Sequence, residues 1–210
     1  MKVFTYFTQI DCLNDPQMLN QWKRSWSENG WEPVILTVED AEKADPDMFR
    51  RFHVSPLLKS CPTNPAQYTL AALLRWVAMT AIDELAIHVD WDVMCRGFKP
   101  QMVPDTNVPT YYTGSYCPCA ISANGRGWKL IAHLLETLPY SPRFEANDLL
   151  KDSCDQYALS IQPSEFGYML PEAPCKNHND PDASTATMLH FPNSHTTYPR
   201  SSVIHKVMNI

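Results

Sequence analysis

The chain is 210 residues long, 44% hydrophobic and 11% aromatic, and carries a net charge of -6 at pH 7. That length and apolar share build a sizeable core and exclude intrinsic disorder, while the acidic balance argues against a general binder of nucleic-acid backbone. No apolar run approaches the roughly 18 residues of a membrane span and residues 1–10 lack the apolar core of a signal peptide, so a soluble cytoplasmic protein is expected.

Residues 2–8, KVFTYFT, are aromatic and β-branched and turn polar at their end, which predicts a first strand. Asp15 and Pro16 then open a helix in which Met18, Leu19, Trp22 and Trp26 recur at helical spacing until Asn29-Gly30 ends it. Residues 31–38 predict a second strand with Pro33 at its entrance, and residues 39–44 a short helix or acidic turn. Strand, helix, strand in this order points to an α/β fold with a mixed, mostly parallel central sheet flanked by helices. In such sheets ligands sit beyond the carboxyl ends of the strands. Thr5, Tyr6 and Phe7, in the tail of the first strand, are therefore candidate contacts for a nucleotide, Tyr6 by stacking. An ordinary edge of the sheet is the alternative.

Residues 49–65 carry Pro56, Pro62 and Pro65 without a period, which predicts a loop. Residues 67–82 are apolar on most sides and predict a deeply packed helix with Arg75 as its one cationic side chain. An Arg in such company needs an anion, either a carboxylate or diphosphate in a nearby cleft or the adjoining Asp83 or Glu84, unless it snorkels to the surface. Residues 85–92, LAIHVDWD, form an apolar run that ends in carboxylates, the pattern of a buried strand. Asp90 and Asp92 stand two apart, so they share a face on a continuing strand and can converge on one hard cation at a strand end. The plainer alternative is a strand running into an acidic surface turn, because D-x-D is a common pattern. His88 is expected in the core.

Residues 93–109 predict a connector and residues 110–116 a further strand. Asn124-Gly-Arg-Gly127 predicts a turn that shapes the ligand pocket ahead of an amphipathic helix over 128–138. A helix over 148–161 carries Asp148, Asp152, Asp155 and Gln156, and residues 185–191 predict a short strand. The seven cysteines, Cys12, Cys61, Cys95, Cys117, Cys119, Cys154 and Cys175, lack a disulfide-scaffold spacing, so reduced thiols are expected. Cys117, Cys119, Cys175 and His178 are a candidate zinc set, against the simpler alternative of small buried residues. No repeat or linker interrupts the chain, which predicts a single domain over 1–210.

Taken in order, Arg75 on a helix ahead of His88-Val-Asp90-Trp-Asp92, then Asp155-Gln156 followed by Tyr-Ala-Leu, then Leu189-His190-Phe191, the chain resembles the GT-A-fold, nucleotide-sugar-dependent glycosyltransferases with a D-x-D motif. The resemblance is architectural and spans most of the chain. It implies a single GT-A-like, Rossmann-like domain with Mn²⁺ or Mg²⁺ held by Asp90, Asp92 and His190, a histidine among oxygens favouring Mn²⁺. It implies a nucleoside-diphosphate sugar donor, UDP-sugars first, bound by Thr5, Tyr6, Phe7, Arg75, Asp90, Trp91, His195 and Arg200. The catalytic candidates it implies are Asp155, Gln156 and Asp152, and Asp155-Gln156 leans toward retention in a hexosyl- or pentosyltransferase. Two departures stand out: residues 81–85 are AIDEL where many relatives have glycines, and the usual lysine after His-Phe is missing. His195 or Arg200 would have to replace its charge.

Two other functions share parts of this pattern. A metal-dependent nucleotidyltransferase also pairs aspartates at a strand end, but would want a Gly/Lys phosphate signature near the N-terminus. In a non-catalytic nucleotide-sugar-binding module the acids would merely cap a strand. The acceptor is open among sugar, protein, lipid head group and modified nucleic acid.

Overall fold

β1 (Lys2–Tyr6) enters the interior at once, with Val3, Phe4, Thr5 and Tyr6 all buried. A computed structural model describes residues 1–8, 16–59, 66–113, 117–140, 159, 167–170, 172–192 and 200–208. β1 pairs in parallel with β2 (Glu32–Leu36) on one side and with β3 (Ala86–Val89) on the other. A separate short strand, β4 (Val93–Cys95), follows β3 directly. β5 (Thr110–Tyr111) and β6 (Ala120–Ala123) extend the sheet as antiparallel neighbours, β6 against β3, and β7 (Tyr168–Met169) closes it in parallel with β5. The order across this mixed, mostly parallel sheet is β2-β1-β3-β6-β5-β7. A second sheet places β9 (Met188–His190) between β4, antiparallel, and β8 (Cys175–Asn177), parallel.

Helices cover both faces. α1 (Pro16–Ser27) buries Met18, Trp22 and Trp26 completely, as their spacing predicts, and Gly30 leaves the helix with a φ of 85° that favours glycine. α1 lies with the second sheet and α6 (Arg200–Met208) against the face that carries Val3, Ile87 and Val89. The opposite face carries Phe4, Tyr6, Ala86 and Ile121 and is covered by α2 (Val38–Ala44), α3 (Pro46–His53), α4 (Ala66–Met79) and α5 (Gly125–Thr137). Each large apolar side chain taken fully out of water contributes about 1.5–3 kcal/mol before its entropy cost. Among the described residues no helix is long and apolar enough to cross a membrane.

Several expectations are corrected here. The stretch expected to be a loop from residue 49 lies partly in α3, because the Asp45 side chain accepts from the N–H groups of Asp47 (3.1 Å) and Met48 (2.8 Å) and Pro46 sits in the first turn. The connector after Asp92 contains β4, too short to show a period, and among the described residues of the strand expected over 110–116 only Thr110–Tyr111 is regular. Asn124 to Gly127 is not a free turn. Asn124 caps α5 by accepting from Gly127 N–H at 3.1 Å, so both glycines are already helical. Because β6 runs antiparallel to β3, this cap lies at the amino end of β3, away from Asp90, and does not shape a pocket there. The helix expected over 148–161 lies outside the described residues, apart from Leu159.

The order β2-β1-β3 has a consequence for binding. From β1 the chain crosses to β2 on one side and later returns to β3 on the other, so the carboxyl ends of β1 and β3 flank a topological switch point, where open α/β sheets leave a crevice.

Candidate metal centre at the switch point of the sheet

β3 ends at Val89, and the next four residues make a tight turn rather than a longer strand. Asp90 N–H donates to Cys119 O (2.8 Å), and Val93 N–H returns to Asp90 O (2.9 Å). The turn delivers both carboxylates to the carboxyl end of the sheet. β4 then pairs Val93 with His190 on β9, and Phe191 N–H donates to Asp92 O at 2.9 Å. α1 holds β4 from beneath, with the Trp26 indole N–H donating to Val93 O at 3.0 Å. A remote histidine is thereby brought beside Asp92 by strand pairing.

One potential ligand atom each from Asp90, Asp92 and His190 lies within 4.8 Å of the others, and this is the one such group among the described residues. His190 Nε2 stands 3.5 Å from Asp92 Oδ1, and both side chains are nearly closed off, at 15% and 11% exposure. The two carboxylates are not equivalent. Arg75, on α4, makes an ion pair from Nη1 to Asp90 Oδ1, so the buried helix cation finds its anion in the cleft rather than in Asp83 or Glu84. Asp92 faces the imidazole instead. Among the described residues two carboxylates face one guanidinium, and a carboxylate–imidazole donor set suits a divalent first-row ion such as Mn²⁺ better than Mg²⁺.

Around this cluster, Phe7 at the end of β1 meets Trp91 edge to face, with ring centroids 5.6 Å apart and planes at 81°. Both rings are half-buried. Thr5 is fully buried, and the Tyr6 ring packs into the core on the helix side. The Tyr6 hydroxyl lacks a hydrogen-bond partner among the described residues, and burial first, then Glu39 and Asp40, push its pKa above the ordinary phenol value. His88 is a core residue as expected. It is 1% exposed against the Trp76 ring (5.1 Å), and neither ring nitrogen has a partner among the described residues. Burial, and then the Arg75 charge, hold its pKa well below the usual imidazole value, so it is neutral.

The candidate zinc residues do not converge among the described residues. Cys117, Cys119 and Cys175 are free thiols, with Cys119 near enough to the other two to shift thiol pKa values, whereas the His178 ring stacks on Phe191 (4.6 Å, 16°). Burial and the Cys119 contact keep the Cys117 thiol far above its ordinary pKa, the contact being the larger cause. Arg200 opens α6, which is tied to α1 by Gln21 Nε2 donating to Ser201 O at 3.0 Å; nothing of the Arg200 side chain belongs to the described set. Asp148, Asp152, Asp155, Gln156 and His195 also lie outside the described residues.

One neighbour of the centre went unforeseen. Asn177 lies opposite His190 across the β8–β9 pairing, with its Oδ1 at 3.1 Å from His190 Nδ1. No local pattern signals it, because the contact exists only once β8 is in register beside β9. The fold and the site together define a mixed α/β protein with a carboxylate–imidazole cluster at a sheet switch point. No protein-family model matches the chain, and no curated protein matches it.

Proposed function

We propose that this chain is a metal-dependent glycosyltransferase with a GT-A-like fold, moving a sugar from a nucleoside-diphosphate sugar, UDP-sugars first, to an acceptor. The observation that carries the proposal is the convergence of Asp90, Asp92 and His190 at the carboxyl ends of β1 and β3, beside two half-buried aromatic rings. A divalent ion bound there would neutralise the diphosphate as it leaves.

Each residue then has a distinct task. Asp92 and His190 face each other and would hold the ion directly. Asp90, which pairs with Arg75, would accept from the ribose or from water at the ion. Arg75 fixes the Asp90 carboxylate and adds positive charge behind it. Phe7 and Trp91 offer apolar faces to the base and ribose, a role that their half-exposure suits better than the burial of Thr5 and Tyr6. By the resemblance, Asp155, Gln156 and Asp152 would attend the anomeric carbon, with a lean to retention, and His195 and Arg200 would offset phosphate charge.

The test is isothermal titration of UDP with and without Mn²⁺. Binding that requires the ion is expected; if no nucleoside diphosphate binds in an ion-dependent way, the proposal fails. A panel of nucleotide sugars scored for hydrolysis then identifies the donor.

A further inference from the structure

His190 is held by its main chain on both sides. Its register with Val93 ties it to β4, and on the other side its carbonyl accepts from His178 N–H at 3.0 Å. What the backbone does not fix is the imidazole ring, whose two nitrogens do different work. One points at Asp92 (Nε2, 3.5 Å) and the other at the side chain of Asn177 (Nδ1, 3.1 Å). A neutral imidazole has one N–H and one lone pair, so a partner that demands the proton at one nitrogen dictates which nitrogen is free to bind an ion.

We propose that Asn177 is the positioning residue for His190: its side-chain carbonyl takes the hydrogen bond from Nδ1–H and leaves the Nε2 lone pair directed at the Asp92 side of the cluster. The inference rests on the proposed metal centre, and assigns to it the outer partner that sets ligand tautomer and ring angle. Asn177 is itself well anchored. Its N–H donates to Asp180 Oδ2 (2.9 Å), its carbonyl accepts from Asp180 N–H (3.0 Å), and its place opposite His190 is fixed by the parallel register of β8 on β9. The residue is exposed, so the side chain contributes little buried area and can be changed without opening the core. With its oxygen turned to the ring, as here, the amide accepts the Nδ1 proton without adding charge to the cluster.

Two measurements test it. The first needs no metal. Long-range ¹H–¹⁵N spectra of the ion-free protein at pH 8 read the fraction of His190 protonated at Nδ1, which the Asn177 carbonyl favours against the Asp92 carboxylate that faces Nε2. Asn177→Ala should shift the ring toward the Nε2–H form. An unchanged tautomer ratio in the variant overturns the assignment. The second is Mn²⁺ titration. Asn177→Ala should bind about 10–100-fold more weakly than wild type, with Asn177→Asp, which keeps an acceptor at the same place, restoring most of the affinity. Equal affinity in wild type and Asn177→Ala also overturns it. If the wild-type protein takes up no Mn²⁺ at all, the metal centre falls, and the tautomer measurement alone decides whether Asn177 governs His190.

Discussion

At the scale of single residues, the site depends on charges held largely out of water. Arg75 is 10% exposed on α4, and its ion pair with Asp90 helps make a cation tolerable there. Removing one member of a largely buried pair takes away compensating charge from the other, at a cost of about 2–4 kcal/mol. Arg75→Met should therefore lower the urea midpoint substantially, and adding Asp90→Asn should recover part of the loss; strictly additive effects in that double-mutant cycle would show that the pair does not couple. His88 gives a pH signature of its own. Its folded pKa is depressed, by burial first and by Arg75 second, so both states are neutral at high pH. As pH falls through about 6.5 the unfolded chain takes up a proton that the folded chain refuses, and stability drops by up to ~1.4 kcal/mol per pH unit toward the folded pKa. That contribution is complete above the unfolded value and is lost on acidification. Urea melts at pH 7.5 and 5.5 should show a smaller difference in His88→Leu than in wild type, and identical differences would refute the assignment.

At the scale of elements, α5 shows how a glycine-rich cap earns its place by packing. A Cβ on Gly125 would stand 2.8 Å from Asp83 Oδ1 and 2.9 Å from Asp83 Cα, and the latter is backbone that cannot swing away. Gly125→Ala should thus destabilise by about 1–3 kcal/mol in chemical denaturation. Asn124→Ala should cost about 1 kcal/mol through the lost cap, while Mn²⁺ and UDP binding stay unchanged in both, since the cap is at the far end of β3. A loss of ion binding in either variant would contradict this placement. These elements also show what sequence can carry. α1, α4 and α5 were legible because their apolar side chains repeat at helical spacing, and β1 and β3 because they are short apolar runs with polar ends. α3 was hidden by the prolines that follow it, although Asp45-Pro46 is a good helix start, and β4 is too short for any periodicity. In the site, Asp90 and Asp92 were legible as neighbours in the chain. His190 came only through resemblance and Asn177 not at all, because the contacts that matter to both depend on the register of β9 between β4 and β8.

At the scale of the molecule, the candidate centre joins parts of the chain that are remote in sequence and belong to different sheets. Asp90 and Asp92 leave the central sheet at the end of β3, while His190 ends the middle strand of the second sheet, and the two sheets share one core through Val3, Ile87, Val93, Met188 and Leu189. In the unfolded chain these ligands are apart, so an ion that needs all of them binds the folded state alone and stabilises it by mass action. At an ion concentration of 100 times Kd that linkage amounts to about 2.7 kcal/mol, which for a chain of this size raises Tm by about 5–10 °C. Saturating Mn²⁺ should produce that rise, EDTA should reverse it, and Mg²⁺ should give less at equal concentration because one of the donors is an imidazole. His190→Ala is the informative control. The variant keeps both carboxylates and the main-chain pairing of β9, so an acidic turn that merely attracts cations would still show the full rise. Loss of most of the rise in His190→Ala would mean that the ion spans the two sheets, whereas an equal rise in both proteins would reduce Asp90 and Asp92 to a charged surface turn.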